Sequence, residues 1–380
     1  MSHETATRVD IPIHRPAIGE VEIEAVRSVL ESGWLGMGSR TVEFERRLCE
    51  LLGVQHAVAV SSGSAALHLA LAVLGLEPGD EVIVPSMTFV SCPQAVVAAG
   101  GRPVFCEVDP HTVTLDLADV ARRITPSTRA VMPVHYGGFP CQMDELLALA
   151  HEHDLTVVED AAHAFGSEYR GRMVGSIGNL ACFSFDPVKN ITCGEGGAIT
   201  TGDDERAERL RLMRNLGVGR DSWSRRGQGR PWYYEASDFG LRYHLTDVNA
   251  AIGLAQLDRL EELRARKRKL LGRYRRGLEG LDGIELIAGE IETAFPFLCA
   301  LRVADGRRDE LADWLETKGI QAWVHFVPSH LQPAFAGLSE PLPVTEALYD
   351  ELLTLPMYAE LSDSDVDRVV KEVRVFFASA

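Results

Sequence analysis

The sequence lacks the features that would tie it to the cell exterior, a membrane or a nucleic acid. Its seven cysteines (Cys49, Cys92, Cys106, Cys141, Cys182, Cys193 and Cys299) are odd in number and show no CxxC spacing. That argues against a disulfide framework and against structural zinc. Several lie in apolar runs such as Val104-Phe-Cys106 and Ala181-Cys-Phe183, where a free thiol packs as a small hydrophobe. No apolar run approaches the ~18 residues of a membrane span. The opening Met1-Ser-His-Glu-Thr-Ala-Thr7 lacks the charged and then apolar pattern of a secretory signal. A soluble, cytoplasmic protein is expected. Positive charge is also scarce, with 38 Lys+Arg against 55 Asp+Glu and a net charge of −17, which disfavours a nucleic-acid partner. The local basic clusters Arg264-Ala-Arg-Lys-Arg-Lys269 and Arg273-Tyr-Arg-Arg276 fall in a helical pattern and read as a solvated face. Internal repeats and low-complexity segments are absent as well.

What the sequence does have is length and alternation. At 380 residues and 46% hydrophobic, it can bury a large core and form one large domain with a smaller one. From 55 to about 200, short β-rich runs alternate with helical patterns: Ala57-Val-Ala-Val60, Glu81-Val-Ile-Val-Pro85, Pro103-Val-Phe-Cys-Glu-Val-Asp109, Ala130-Val-Met-Pro-Val134 and Thr156-Val-Val-Glu-Asp160. This predicts an α/β fold with a mostly parallel central sheet covered by helices on both faces. Ligands of such sheets lie beyond the carboxyl ends of the strands, here the turns after Val60, Pro85, Val134 and Asp160. A polar, aromatic and arginine-rich stretch over 217–240 carries Trp223, Arg225, Arg226, Arg230, Trp232, Tyr233 and Tyr234; a loop of that length is usually functional or mobile. One long helix is predicted from Asp247 to about Leu281, bridging to an α+β remainder. The remainder has strands near 284–287, 297–303 and 321–326 and helices near 309–318, 345–353 and 364–377. The expected division is a large domain over 1–250, with an N-terminal arm over 1–35, and a bridging helix plus small domain over 251–380.

Candidate chemistry gathers at the strand ends. The segment Phe183-Ser-Phe-Asp-Pro-Val-Lys-Asn-Ile-Thr-Cys-Gly-Glu-Gly-Gly197 sets Lys189 between an apolar strand and a glycine-rich turn. A lysine held against buried surface is pushed toward the neutral amine that attacks carbonyl carbon, and flanking glycines let backbone approach a bulky planar group. Taken alone, the same lysine also fits a surface position after a strand. Ser61-Ser-Gly-Ser-Ala-Ala66 joins a strand to a helix N-terminus, which suits either a phosphate or a simple N-cap. Glu159-Asp-Ala-Ala-His163 puts Asp160 where a carboxylate can hold a pyridinium nitrogen protonated or cap the next turn. His163 can touch the same ring or serve as an ordinary buried histidine. Phe89, in Pro85-Ser-Met-Thr-Phe89, can stack on a planar cofactor or join the core. Ser184 can give its hydroxyl to a phosphate or to the backbone.

In their order these motifs resemble the DegT/DnrJ/EryC1/StrS family of sugar aminotransferases, fold-type I enzymes dependent on pyridoxal 5′-phosphate (PLP). The resemblance runs from about Pro16 to Phe377 and includes Gly38 through Phe44-Glu45, Thr246-Asp247 with Ala250-Ala-Ile-Gly253, and His330-Leu-Gln-Pro333. It implies that Lys189 forms the internal aldimine, that Asp160 pairs with the pyridine nitrogen, and that Phe89 and His163 flank the ring. Gly63, Ser64, Ala65 and Ser184 would then hold the phosphate. One departure stands out: where the family commonly reads Gly-x-Asn-Tyr-Arg, this chain has Gly240-Leu-Arg-Tyr-His244. In the family that asparagine reaches the cofactor phosphate of the neighbouring subunit. Arg242 now stands there, able to bind that phosphate or an anionic part of the substrate, and either role implies a homodimer with shared active sites. The resemblance further implies L-glutamate as donor and a nucleotide-linked keto sugar as acceptor, a dTDP- or UDP-4-keto-6-deoxyhexose. A 3-keto sugar or cyclitol ketone is the alternative, and a PLP-binding regulator without turnover a more distant one. Trp232 in the 217–240 stretch, together with His325 and Phe326 in Trp323-Val-His-Phe326, are candidate substrate walls. Pro133-Val-His-Tyr136, with Tyr136, and Cys182-Phe-Ser-Phe185 resemble the members that aminate C4.

Overall fold

The computed structural model describes residues 9–219 and 232–378; Trp223, Arg225, Arg226 and Arg230 lie outside the described residues. The first half of the chain gives α1 (Glu20–Ser32), α2 (Ser39–Leu52), β1 (His56–Val60), α3 (Gly63–Ala72), β2 (Glu81–Pro85), α4 (Ser91–Ala98), β3 (Arg102–Cys106), α5 (Leu117–Arg123), β4 (Thr128–Val131), α6 (Met143–Glu152) and β5 (Thr156–Asp160). A small ribbon of β6 (Glu168–Tyr169) and β7 (Arg172–Met173) leads to β8 (Leu180–Ser184), β9 (Gly197–Thr201) and α7 (Asp204–Arg214). The rest comprises α8 (Asp247–Asp258), α9 (Leu260–Leu278), β10 (Ile284–Leu286), β11 (Cys299–Val303), α10 (Arg308–Thr317), α11 (Pro343–Glu351), β12 (Leu352–Leu355) and α12 (Asp363–Ala378).

The large sheet has seven strands in the order β1-β9-β8-β5-β4-β2-β3. The run from β8 to β3 is parallel, while β9 is antiparallel to both of its neighbours. Burial on both faces explains the near-continuous apolar strands. On β1, Val58 and Val60 join a core with Leu67 and Ala70 of α3. The intervening Ala57 and Ala59 pack on the other face with Phe44 and Leu48 of α2 and Ala250 of α8. β9 was not expected from the sequence. It pairs through Gly197 with Val60 on one side and Ser184 on the other, so the ends of β1 and β8 meet across a single glycine. A Cβ at Gly197 would lie 2.4 Å from the Ser62 carbonyl oxygen and 2.8 Å from that of Phe183, which leaves no room for any side chain.

The C-terminal body is a three-stranded antiparallel sheet, β10-β11-β12, packed on α9, α10 and α12 through Leu270, Leu301, Leu311, Leu355 and Val369. Four expectations need correction here. The single helix from Asp247 to about Leu281 is two helices, α8 and α9, meeting at Arg259 (φ −101°, ψ 4°). Neither proline nor glycine marks the break. It is held instead by tertiary contacts, since the Arg259 guanidinium donates to Ala17 O (3.2 Å) and to Glu22 Oε1 (3.0 Å). Residues 321–326 form no strand, only a bridge between Trp323 and Thr354. The helix expected over 345–353 ends at Glu351, and Leu352–Leu355 is β12; its four buried residues fit a helix and a strand equally well by hydropathy. The basic cluster is not wholly a solvated face either. Lys267 is 3% exposed and donates to Asn190 Oδ1 at 2.8 Å. Among the described residues no helix is long and apolar enough to cross a membrane.

Candidate active site

The sheet register brings together groups that are distant in sequence. Asp160 ends β5 opposite Cys182 of β8, and Ser184 ends β8 beside the turn that follows β1. A cavity of about 280 Å³ opens there, lined by Gly63, Ser64, Phe89, Asp160, His163, Ser184, Lys189, His325 and Phe326 from the sequence-predicted set.

Lys189 lies in the turn after β8, its amide donating to Asp186 O at 3.1 Å. Its ammonium sits 4.5 Å from the Phe297 ring centroid. Burial pushes its pKa down from 10.5 to about 8, against the upward pull of Asp160 and Asp186. About a fifth of the amine is therefore neutral near pH 7.4, against roughly a thousandth for an ordinary lysine. Asp160, 6% exposed, accepts the Ala162 amide on Oδ1 (3.0 Å) and the Cys92 thiol on Oδ2 (2.8 Å), which fixes its carboxylate plane at the cavity wall.

His163 is held neutral: burial, and then the charge of Lys189, drive its pKa well below the usual value. Its Nδ1 accepts the Gly137 amide at 3.4 Å, which leaves the proton on Nε2, and its ring lies 4.4 Å from that of Phe297. Phe89 is 56% exposed, an open aromatic face, with its ring 5.7 Å from Phe326. His325, whose pKa burial and Lys189 lower to about 4, is tethered through Nδ1 to Thr354 Oγ1 at 3.0 Å.

The α3 turn is built for close approach. Ser62 caps the helix by accepting the Ala65 amide on Oγ at 3.1 Å. A Cβ at Gly63 would fall 2.7 Å from the Ser184 Cβ, so only glycine brings this helix N-terminus against the Ser184 hydroxyl. The donor set is thus an amine of lowered pKa, a fixed carboxylate, an exposed aromatic, and hydroxyls at a helix N-terminus. It fits a flat, protonated pyridine carrying an aldehyde and a phosphate.

Four predicted residues do not line this cavity. Ala65 spends its amide on the Ser62 cap. Tyr136 is fully buried, with its hydroxyl donating to the His325 carbonyl, and so bears on the cavity through that segment. Trp232 is 70% exposed and lies elsewhere. Arg242 lines a second cavity with Trp34, Tyr234 and His244. Conversely, His14, Thr88 and Phe297 line the main cavity without having been singled out in the sequence. His14 stacks on Phe297 with centroids 5.3 Å apart, in a segment preceding α1 that carries no motif. Only the strand pattern near 297 hinted at Phe297.

Comparison with known proteins agrees with this fold. Residues 16–374 match the model of the DegT/DnrJ/EryC1/StrS aminotransferase family. The spore coat polysaccharide biosynthesis protein SpsC of Bacillus subtilis (strain 168) is 39% identical, covering 96% of this chain and 96% of its own. The aminotransferase TlmJ from Streptoalloteichus hindustanus superimposes with a TM-score of 0.91 at 38% identity, covering 97% of this chain and 99% of that one. The Streptococcus pneumoniae protein Spr1654, solved in a PLP form, does so with a TM-score of 0.90 at 31% identity, covering 97% and 99%. With near-complete coverage and a cavity fitted to PLP, this chain belongs to the DegT/DnrJ/EryC1/StrS family and is a PLP-dependent sugar aminotransferase.

Proposed function

We propose that the protein moves the amino group of L-glutamate to a nucleotide-linked keto sugar, a dTDP- or UDP-4-keto-6-deoxyhexose. The observation that carries the amino-transfer chemistry is the pairing of a buried lysine of pKa about 8 with Asp160 at one cavity wall; the donor and acceptor rest on the likeness to sugar aminotransferases. When bound, PLP supplies an electron sink that lets a substrate Cα–H bond break. Every other task falls to the chain. Lys189 Nζ, as neutral amine, takes the proton from the donor's Cα, and in the second half it returns one to the sugar carbon. Asp160, held by Ala162 and Cys92, keeps the ring nitrogen protonated. Neutral His163 and the open face of Phe89 orient the ring. Gly63, Ser64 and Ser184 take the phosphate at the α3 N-terminus, with Ala65 placing that turn through the Ser62 cap. His325 and Phe326 form the sugar-side wall, and Tyr136 steadies it through the His325 carbonyl.

Arg242 lies outside its own subunit's Lys189 cavity. That placement supports its service, with Trp232, to the site of a second copy in a homodimer with shared active sites. Half-exposed Ile18, Ile23 and Leu30 around α1 would suit an apolar contact between copies.

Two measurements test the reading. The rate at which the cofactor-free protein takes up PLP should rise with pH through about 8 and then level off, because only neutral Lys189 attacks the aldehyde; a rate still climbing toward 10.5 would assign the amine an ordinary pKa. A panel of nucleotide-linked 4-keto and 3-keto sugars and a cyclitol ketone, each with glutamate, should yield the 4-amino product by mass and NMR. Turnover confined to the 3-keto sugar or the cyclitol would replace the proposed acceptor.

A further inference from the structure

The reaction just described uses Cys92 only to hold Asp160; what orients its thiol, and what that bond does to the ring, go further. Cys92, at the start of α4, is fully buried and lies outside the cavity lining. Its thiol donates to Asp160 Oδ2 at 2.8 Å, and Thr88 Oγ1 is 3.2 Å from the same sulfur. A thiol has one hydrogen, and Asp160 takes it, so the Thr88 hydroxyl must donate to the sulfur. The result is a one-way relay, Thr88 O–H to Cys92 S–H to the Asp160 carboxylate, in a region where Thr88 is 1% exposed and Asp160 is 6% exposed.

We infer that Cys92, oriented by Thr88, is a positioning residue that fixes the carboxylate of Asp160 and so tunes the electron-withdrawing state of the cofactor ring. The sulfur remains a donor because burial, followed by the negative charge of Asp160, holds its pKa well above the usual thiol value. With Ala162 on Oδ1 and Cys92 on Oδ2, each carboxylate oxygen has one protein donor. Two donors prevent rotation of the carboxylate and spread its charge, which sets how strongly it pulls on a ring N–H. Sequence alone gave this thiol no role.

The inference rests on the assignment of Asp160 to the ring nitrogen, and the experiment separates the two. PLP-loaded Cys92→Ala, Cys92→Ser, Thr88→Val and Asp160→Asn are compared for the visible absorbance maximum of the bound cofactor and for kcat. Cys92→Ala should displace the band and lower kcat about tenfold, the worth of one hydrogen bond to a charged group. Cys92→Ser, which keeps a donor, should restore both. Thr88→Val should displace the band in the same direction by less. A wild-type band and kcat in Cys92→Ala would overturn the inference, as would equal losses in the alanine and serine variants, which would mean packing alone. If Cys92→Ala does not fold, Thr88→Val decides: a displaced band supports the relay and an unmoved one overturns it. Failure of the underlying assignment looks different, because Asp160→Asn would then itself keep the wild-type band and turnover.

Discussion

Lys189→Ala is expected to lower amino transfer by roughly 10⁴-fold or more, because it removes the nucleophile and the proton carrier together. No neighbour can take over. The other buried amine near Phe297, Lys267, is held by Asn190 Oδ1 at 2.8 Å, and its ammonium lies 5.4 Å from the Phe297 centroid. Lys189→Arg should be equally inactive, since a guanidinium never becomes the neutral nucleophile. The measurement is steady-state turnover of keto sugar with glutamate, alongside the visible band of the purified protein, which should be lost in both variants. Turnover within tenfold of wild type in either one would remove Lys189 from the mechanism. Because Lys189 sits in a cavity-lining turn rather than in a strand, the variants should remain folded, and without cofactor they should melt as the cofactor-free wild type does.

Asp160→Asn is expected to cost at least about a hundredfold in kcat. A hydrogen bond to a charged group is worth ~1.5–3 kcal/mol, each ~1.4 kcal/mol is a factor of ten, and the amide also forfeits the charge that keeps the ring nitrogen protonated. The side chain keeps its shape, so the Ala162 amide at 3.0 Å can still find an oxygen. The defect should therefore fall on proton abstraction rather than on PLP affinity. Single-turnover mixing with glutamate reads this step directly. A variant that binds PLP normally and loses its band with glutamate as fast as wild type would show that the carboxylate does not act on the ring.

Much of this was legible in the linear chain, for identifiable reasons. The strands β1, β2, β4, β5 and β8 announce themselves because parallel strands covered on both faces are almost wholly apolar and end at turn residues. Lys189, Asp160, His163 and Phe89 could be read because each follows such a strand end, where α/β folds place ligands. Elsewhere the local signal was absent or ambiguous. The α8–α9 break at Arg259 depends on Glu22 and Ala17, more than two hundred residues away. Leu352–Leu355 could extend a helix or form a strand until β11 supplied a partner. Lys267 looked solvated amid arginines, yet the packing of α9 turns it inward.

By itself the sequence determined the α/β class through its strand pattern, and its resemblance to a known family supplied the reaction type and the candidate groups for PLP. Only the tertiary structure decided which of those groups meet. The β1-β9-β8-β5 order, closed at Gly197, sets the α3 turn, Ser184 and Asp160 at one wall, while Arg242 and Trp232 fall outside it. It also brought His14 and Phe297 to the cavity wall and Cys92 behind Asp160. The reason is that burial and hydrogen-bond partners come from strand order and helix packing, which local pattern does not encode.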